Sequence, residues 1–186
     1  MRNLILSLEF EEPSAQSLEP SPQIFAMRIR SFADDDLAAI YAIQLKCPQA
    51  AQWRIGDYIR LAHDPLGTVL VAEVDDANLP RVAGFAAFHR VMDEAELRNM
   101  ATDPLHQRKG VARALLARGI LDLQANGVLR IFLEVRASNQ PATAFYASMG
   151  FRLMYTRRDY YHDPAADALV MACDITPSSE FHSRPR

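Results

Sequence analysis

Three short stretches of the sequence hold side chains whose types and spacing suit anion binding and proton transfer. The first is Asn99 to Arg113, NMATDPLHQRKGVAR, where a strand-like run enters a loop with Arg108 and Lys109 and Gly110 opens a helix. The free N–H groups and the dipole of a helix start attract anions, and a glycine lets a phosphate approach the backbone. The closing Gly-Lys-Ser/Thr of a Walker loop is absent, and so are the further glycines of a dinucleotide fingerprint. Taken alone, the stretch reads equally as a phosphate site or as a glycine helix start beside a solvated basic loop. The second is LEVRASN, Leu133 to Asn139, in which Glu134 alternates with Ile131, Leu133 and Val135 and shares a face with Phe132 and Arg136. A half-desolvated carboxylate beside an aromatic ring has the chemistry of a general base. The plainer reading is a surface Glu paired with Arg136 or another base.

The third stretch is NQPATAFYASMGF, Asn139 to Phe151. Ala142, Phe145, Tyr146 and Met149 recur at i, i+3, i+4 and i+7, which puts Tyr146 at or beside a buried stripe. It is either a core tyrosine or a phenol placed to protonate a leaving group. Asn139, two turns earlier and roughly 10 Å along the axis, reads as a helix cap on helix chemistry alone.

Positioning these groups takes a series of alternating elements. A short strand is expected at Met27 to Arg30. A helix follows from about Ala33 to Lys46, with Ser31 as a cap, Asp34 to Asp36 at its positive end and a stripe of Leu37, Ile40, Tyr41 and Leu45. A second helix covers about Gln52 to His63, and strands are expected at Thr68 to Val74, Val82 to Met92 and Glu96 to Thr102. Gly110 to Ala125 reads as a helix stopped by Asn126-Gly127, Arg130 to Arg136 as a strand, and Asn139 to Met149 as a helix stopped by Gly150. Phe151 to Tyr161 and Ala168 to Asp174 close the fold around a turn with Asp163-Pro164. The order β-α-α-β-β-β-α-β-α-β-β predicts a single α/β (α+β) domain with a mixed sheet.

The chain has 186 residues, 49% hydrophobic and 23% charged, which suits one globular domain. No apolar run reaches the roughly 20 residues of a spanning helix, so no membrane partner is expected. The net charge of −3 gives no basic excess for direct nucleic-acid binding. Residues 1–27 hold Arg2 against Glu9, Glu11, Glu12 and Glu19 and so carry that whole charge. Residues 1–26 read as an acidic, Pro/Ser-rich mobile extension, residues 27–175 as the domain, and residues 176–186 as a mobile tail. Leu4 to Phe10 could be a strand or a docking segment. Cys47 and Cys173 match no metal or redox spacing and read as reduced thiols of a cytoplasmic protein. His89, His106 and His162 are scattered and read as surface or loop residues, and no metal site is expected.

Taken together, QRKGVA (Gln107 to Ala112), LEVRASN, FYASMGF and RRDYY (Arg157 to Tyr161) resemble, in order and spacing, the GNAT family of acyl-CoA-dependent N-acetyltransferases. The likeness is strongest to its branch that acetylates the N-terminal alanine of a ribosomal protein. It is strong from Glu96 to Met171 and departs from that branch at KCPQAAQW (Lys46 to Trp53). The resemblance implies a twisted sheet whose two central strands splay apart to admit acetyl-CoA. It implies that the backbone of Met100, Ala101 and Thr102 meets the acetyl and pantetheine end. Arg108, Lys109, Gly110, Val111, Ala112 and Arg113 would surround the pyrophosphate, and Asn139 would contact the cofactor. Glu134 is implied as proton acceptor and Tyr146 as proton donor.

The implied reaction suits those groups. An amine attacks a thioester only as the free base, and an α-amino group has a pKa of about 7.7–8.0. A lysine, at about 10.4, needs roughly 2.5 further units, or ~3.4 kcal/mol at about 1.36 per unit. One carboxylate therefore fits a chain N-terminus better, with direct transfer in a ternary complex and a protein or peptide N-terminus, such as a ribosomal protein's, as partner. Asp163 and Asp167 read as turn formers before they read as attractors of a basic peptide. The alternatives are a small amine or lysine acceptor, or a non-catalytic CoA-binding module.

Overall fold

A computed structural model describes residues 26–76, 79–162 and 165–175. The Leu4–Phe10 segment, the rest of the N-terminal extension before Ala26, the 176–186 tail and the Asp163-Pro164 turn lie outside the described residues. In chain order the elements are β1 (Met27–Ser31), α1 (Leu37–Leu45), α2 (Ile55–His63), β2 (Gly67–Asp76), β3 (Leu79–Val91), β4 (Glu94–Thr102), α3 (Val111–Ala125), β5 (Arg130–Arg136), α4 (Gln140–Ser148), β6 (Arg152–His162) and β7 (Ala165–Asp174). Short 3-10 turns at Asp34–Asp36 and Pro104–His106 complete the set. The strands form one mixed sheet in the order β1-β2-β3-β4-β5-β7-β6, parallel only between β4 and β5. This is the element order and the fold class that the sequence predicts. No helix of the described residues is long and apolar enough to cross a membrane.

Each face of the sheet has its own core. Ile40, Ile43, Tyr58 and Leu61 of α1 and α2 pack on Val69, Val71, Phe85, Ala87 and Ala101. On the other face, Leu115, Leu116 and Leu123 of α3 and Tyr146 of α4 pack on Leu70, Phe88, Leu97, Ile131 and Leu133. β2 and β3 are apolar on both sides because they lie between these layers. The helix α3 comes so close to β3 that a Cβ on Gly119 would stand 2.4 Å from the Phe88 ring.

The first helical segment departs from its predicted form. Ser31 ends β1 instead of capping a helix, and α1 starts only after the 3-10 turn. The cause is Asp36, which turns inward to bind Arg30 Nη1 and Nη2 at 2.6 and 2.8 Å and accepts the Ala33 N–H at 2.8 Å. The buried stripe then runs through Ile40, Ile43 and Gln44, while Leu45 is 62% exposed. The three His also differ in setting. His89 lies within β3, half-buried and 3.4 Å from Asp64, and not in a loop.

One irregularity shapes the centre of the sheet. β3 pairs Phe88 with Leu97 but Ala87 with Asn99, so Arg98 is an extra residue in β4. Such a bulge reverses which residues face which side. Before it Ala95 and Leu97 join the α3–α4 core. After it Ala101 joins the α1–α2 core, Asn99 bonds Tyr58, and Met100 packs toward α3. The pairing of β4 with β5 also ends at Leu97–Leu133. Beyond that point the two central strands part, as the resemblance implied.

Candidate active site

The gap opens along Asn99–Thr102 on one side and Glu134–Arg136 on the other, with β3 and β7 holding the outer edges of the two strands. Met100, Ala101 and Thr102 therefore form one wall. The hydroxyl of Thr102 is buried and has no hydrogen-bond partner among the described residues. An orphaned hydroxyl at this wall suits a ligand with polar atoms of its own, because leaving it unpaired costs about 1–3 kcal/mol.

β4 leads through Asp103 and the 3-10 turn into the loop at Gln107–Gly110. Arg108 and Gly110 both have positive φ, +61° and +85°, so the chain turns sharply before α3. A Cβ at Gly110 would meet nothing within 4 Å, which leaves the helix start open to an approaching anion. Arg108, Lys109 and Arg113 are exposed around it, and Arg113 reaches Ser148 Oγ of α4 at 3.4 Å. The side chain of Val111 is buried under the sheet, so only its backbone is available there. Ala112 is half-buried. Asn139 caps α4, its side chain accepting the Ala142 N–H at 3.3 Å, as helix chemistry predicted for it. The orphaned Thr102 hydroxyl and the open, glycine-headed helix start both fit acetyl-CoA.

Glu134 lies on the sheet face away from α3 and α4, where no helix of the described residues packs on β5 or β7. Its carboxylate binds Arg157 Nη1 at 2.8 Å and is hydrogen-bonded to the Tyr160 hydroxyl. Its partner is Arg157, whereas Arg136 stacks on the Tyr161 ring at 4.0 Å. A cavity of about 410 Å³ opens beside it, with Glu96, Phe132, Tyr155, Tyr160 and Val170 among its lining residues. RRDYY carries part of the family resemblance, but sequence reasoning assigned no site role to Arg157 or Tyr160. Arg157 reaches Glu134 because Met154 is an extra residue in β6, which shifts Tyr155 opposite Val170 and Arg157 opposite Ala168 on the Glu134 face. A second bulge follows it: Arg158 to Tyr160 stand opposite Asp167 alone, Asp159 has φ +52°, and its N–H binds Asp167 Oδ1 at 2.9 Å. Asp167 thus shapes the hairpin, while Asp163 lies outside the described residues. Three consecutive charged residues, Arg157 to Asp159, before the tyrosine pair were the only signal of that second bulge.

Tyr146 is on the opposite side of the sheet. It is 9% exposed, packs against Phe145 and Phe151, and its carbonyl accepts the Phe151 N–H at 3.1 Å. Burial, and to a lesser degree the neighbouring Tyr161, pushes its phenol pKa well above the usual 10, so it holds its proton throughout the neutral range. Cys173 sits in β7 and Cys47 in the α1–α2 connector, both free thiols. Burial raises the pKa of each, which keeps them protonated and poorly nucleophilic. The gap can thus admit an activated acyl group, with a carboxylate on one face and a protonated phenol on the other.

A model of the acetyltransferase (GNAT) family matches residues 37–151. The chain is 47% identical over 98 residues to the [ribosomal protein bS18]-alanine N-acetyltransferase of Escherichia coli K12, an alignment covering 52% of this chain and 66% of that relative. The crystal structure of the ribosomal-protein-S18-alanine N-acetyltransferase from Escherichia coli superposes with a TM-score of 0.71 at 34% identity, covering 86% of this chain and all of the other. Naa20 of Chaetomium thermophilum, solved in complex with a bisubstrate analogue, superposes with a TM-score of 0.67 at 25% identity over 79% of this chain and 86% of its own. With its splayed sheet and its glycine-headed α3, this chain belongs to the GNAT family of acetyltransferases.

Proposed function

We propose that the chain transfers the acetyl group of acetyl-CoA to the α-amino group of a protein N-terminus, by direct attack within a ternary complex. The acceptor class is suggested by the relatives, whose names specify an alanine of a ribosomal protein as the residue N-acetylated. The observation that carries the reading is the parted β4–β5 pair, with Glu134 on one face and Tyr146 on the other.

Acetyl-CoA supplies an acyl group activated as a thioester. The backbone N–H groups around Gly110, with Arg108 and Lys109, would hold its diphosphate, and Met100 to Thr102 would line its acyl end. Glu134, fixed by Arg157 and Tyr160, takes the proton from the incoming amine, directly or through a water. Tyr146 Oη, protonated throughout the neutral range, gives its proton to the departing sulfur. A backbone N–H of the Met100–Thr102 wall polarises the carbonyl oxygen.

The test is acetyl-CoA turnover on an alanine-start peptide and on the same peptide blocked at its N-terminus. Turnover of the first alone supports the reading. An unchanged rate after blocking moves the acceptor to a lysine or small amine, and no turnover on any amine leaves a CoA-binding module.

A further inference from the structure

The α1–α2 connector, residues 46–54, lies on the same side of the sheet as Glu134, yet it is tied to the strand that leads to the coenzyme loop. Lys46 Nζ lies 2.8 Å from Asp103 Oδ2, and the Cys47 thiol donates to the Thr102 carbonyl at 3.4 Å. Further along, Asn99 Nδ2 donates to the Ala51 carbonyl at 2.9 Å, and Gln44 exchanges two hydrogen bonds with the Trp53 backbone. The same two residues of β4 and its exit also hold the loop. Gln107 Nε2 donates to the Thr102 carbonyl at 3.4 Å, and the Leu105 N–H donates to Asp103 Oδ1 at 3.0 Å. Asp103 is 8% exposed and anchored to β3 through its own N–H on the Ala83 carbonyl. Burial opposes its charge, but Lys46 and the Leu105 N–H outweigh it and keep the carboxyl below its ordinary pKa.

Resting on the function proposed above, we infer that Thr102–Asp103 is a junction linking the coenzyme loop to the acceptor-side connector, with Lys46 and Asp103 as positioning residues, so that the two substrates bind cooperatively. Each residue of the junction is bonded to both sides. Any adjustment of Gln107–Gly110 around a diphosphate therefore acts on the residues that hold Lys46 and Cys47. A preordered connector spares the acceptor part of the ordering cost, and by linkage the acceptor must favour the coenzyme by the same factor.

Calorimetry on the full chain tests this with CoA, which has no acetyl group to transfer, and an alanine-start peptide, each titrated alone and with the other saturating. In the unaltered chain each ligand should tighten the other by the same factor, fivefold or more. Lys46→Met should leave the CoA affinity measured alone within twofold and bring that factor below two. Its turnover should show a KM for the peptide that rises more than kcat falls. Lys46→Arg should restore the factor. Asp103→Asn, which keeps the acceptor for the Leu105 N–H, should reproduce Lys46→Met, and the double variant should add nothing further. Independent binding in the unaltered chain, or an undiminished factor in Lys46→Met and Asp103→Asn, overturns the junction and leaves the proposed function standing. No binding of CoA at all overturns both.

Discussion

Replacing Gly110 by Ala separates the coenzyme loop's role from its backbone strain, because α3 carries a matched control at its other end. Gly110 at the helix start has φ +85° and Gly127 just past the helix end has φ +80°, and a Cβ on either would meet nothing within 4 Å. Gly127 completes a Schellman closure in which its N–H binds the Gln124 carbonyl at 3.0 Å and the Val128 N–H binds the Leu123 carbonyl at 3.1 Å. With no clash at either site, Ala costs only the left-handed conformation, about 1–2 kcal/mol. In a domain of this size that is roughly 2–8 °C in Tm. Gly110→Ala and Gly127→Ala should therefore melt at similar, lowered temperatures by calorimetry. They should differ in CoA binding. In Gly110→Ala the added methyl group occupies the opening through which a phosphate approaches the helix N–H groups, and Kd should rise tenfold or more, about 1.4 kcal/mol. Gly127→Ala should bind CoA as the unaltered chain does. Equal CoA affinities in the two variants would refute the assignment of the diphosphate to this loop.

Other perturbations test the remaining groups. Tyr146→Phe removes one hydroxyl and keeps the ring packed on Phe145 and Phe151, so Tm and CoA affinity should hold while the transfer rate falls on the order of 10²–10⁴; an unchanged rate in stopped-flow assays returns Tyr146 to the core alone. Glu134→Gln should slow transfer most below about pH 8, where an α-amine still carries its proton, and a loss equal at every pH in a rate profile counts against a base. Asp36→Ala should destabilise the fold by about 1–3 kcal/mol at pH 7 in urea unfolding, because it removes the acceptor of the Ala33 N–H and one of the two carboxylates on the half-buried Arg30, which keeps Glu73. Burial alone would raise the Asp36 pKa, but Arg30 and the Ala33 N–H outweigh it and hold it below its ordinary 3.8. The stability it contributes is therefore present above about pH 4 and fades as pH falls through that lowered value. The gap between Asp36→Ala and the unaltered chain should narrow under acid.

Much of this architecture was legible because it rests on local chemistry. The alternation of Ile131, Leu133 and Val135 against Glu134 fixes the two faces of β5, and the i, i+3, i+4, i+7 set places Tyr146 inward on α4. What escaped the sequence depends on register. From Ala95 through Leu97 and Asn99 to Ala101, every second residue is buried without interruption, as though all four faced one layer. The extra residue Arg98 sends the first two to the α3–α4 core and the fourth to the α1–α2 core, with Asn99 on Tyr58. Burial alternates unbroken because β4 has packing on both sides, so the pattern carries no trace of the reversal. The Arg157–Glu134 pair was hidden for a similar reason, since it depends on the extra residue Met154, which turns Arg157 to the Glu134 face. Asp36 looked like one of three acids at a helix start, and only the position of Arg30 on β1 shows why it alone turns inward.

Those register effects bear directly on the chemistry proposed. An amine must lose a proton on the side from which it attacks, and a thiolate must gain one where it departs. In this fold the two candidate groups are on opposite faces of a sheet. Had β4 and β5 continued their ladder past Leu97 and Leu133, a layer of hydrogen-bonded backbone would separate Glu134 from Tyr146, and no single carbonyl could lie between them. The parting of the strands removes that layer and exposes backbone groups of Met100 to Thr102 that a ladder would have consumed. The same absence of pairing thus provides the passage between the faces and the strand edges that line it. On this reasoning the reaction depends on where strand pairing stops as much as on the identity of Glu134 and Tyr146, and the bulge at Arg98 marks that point.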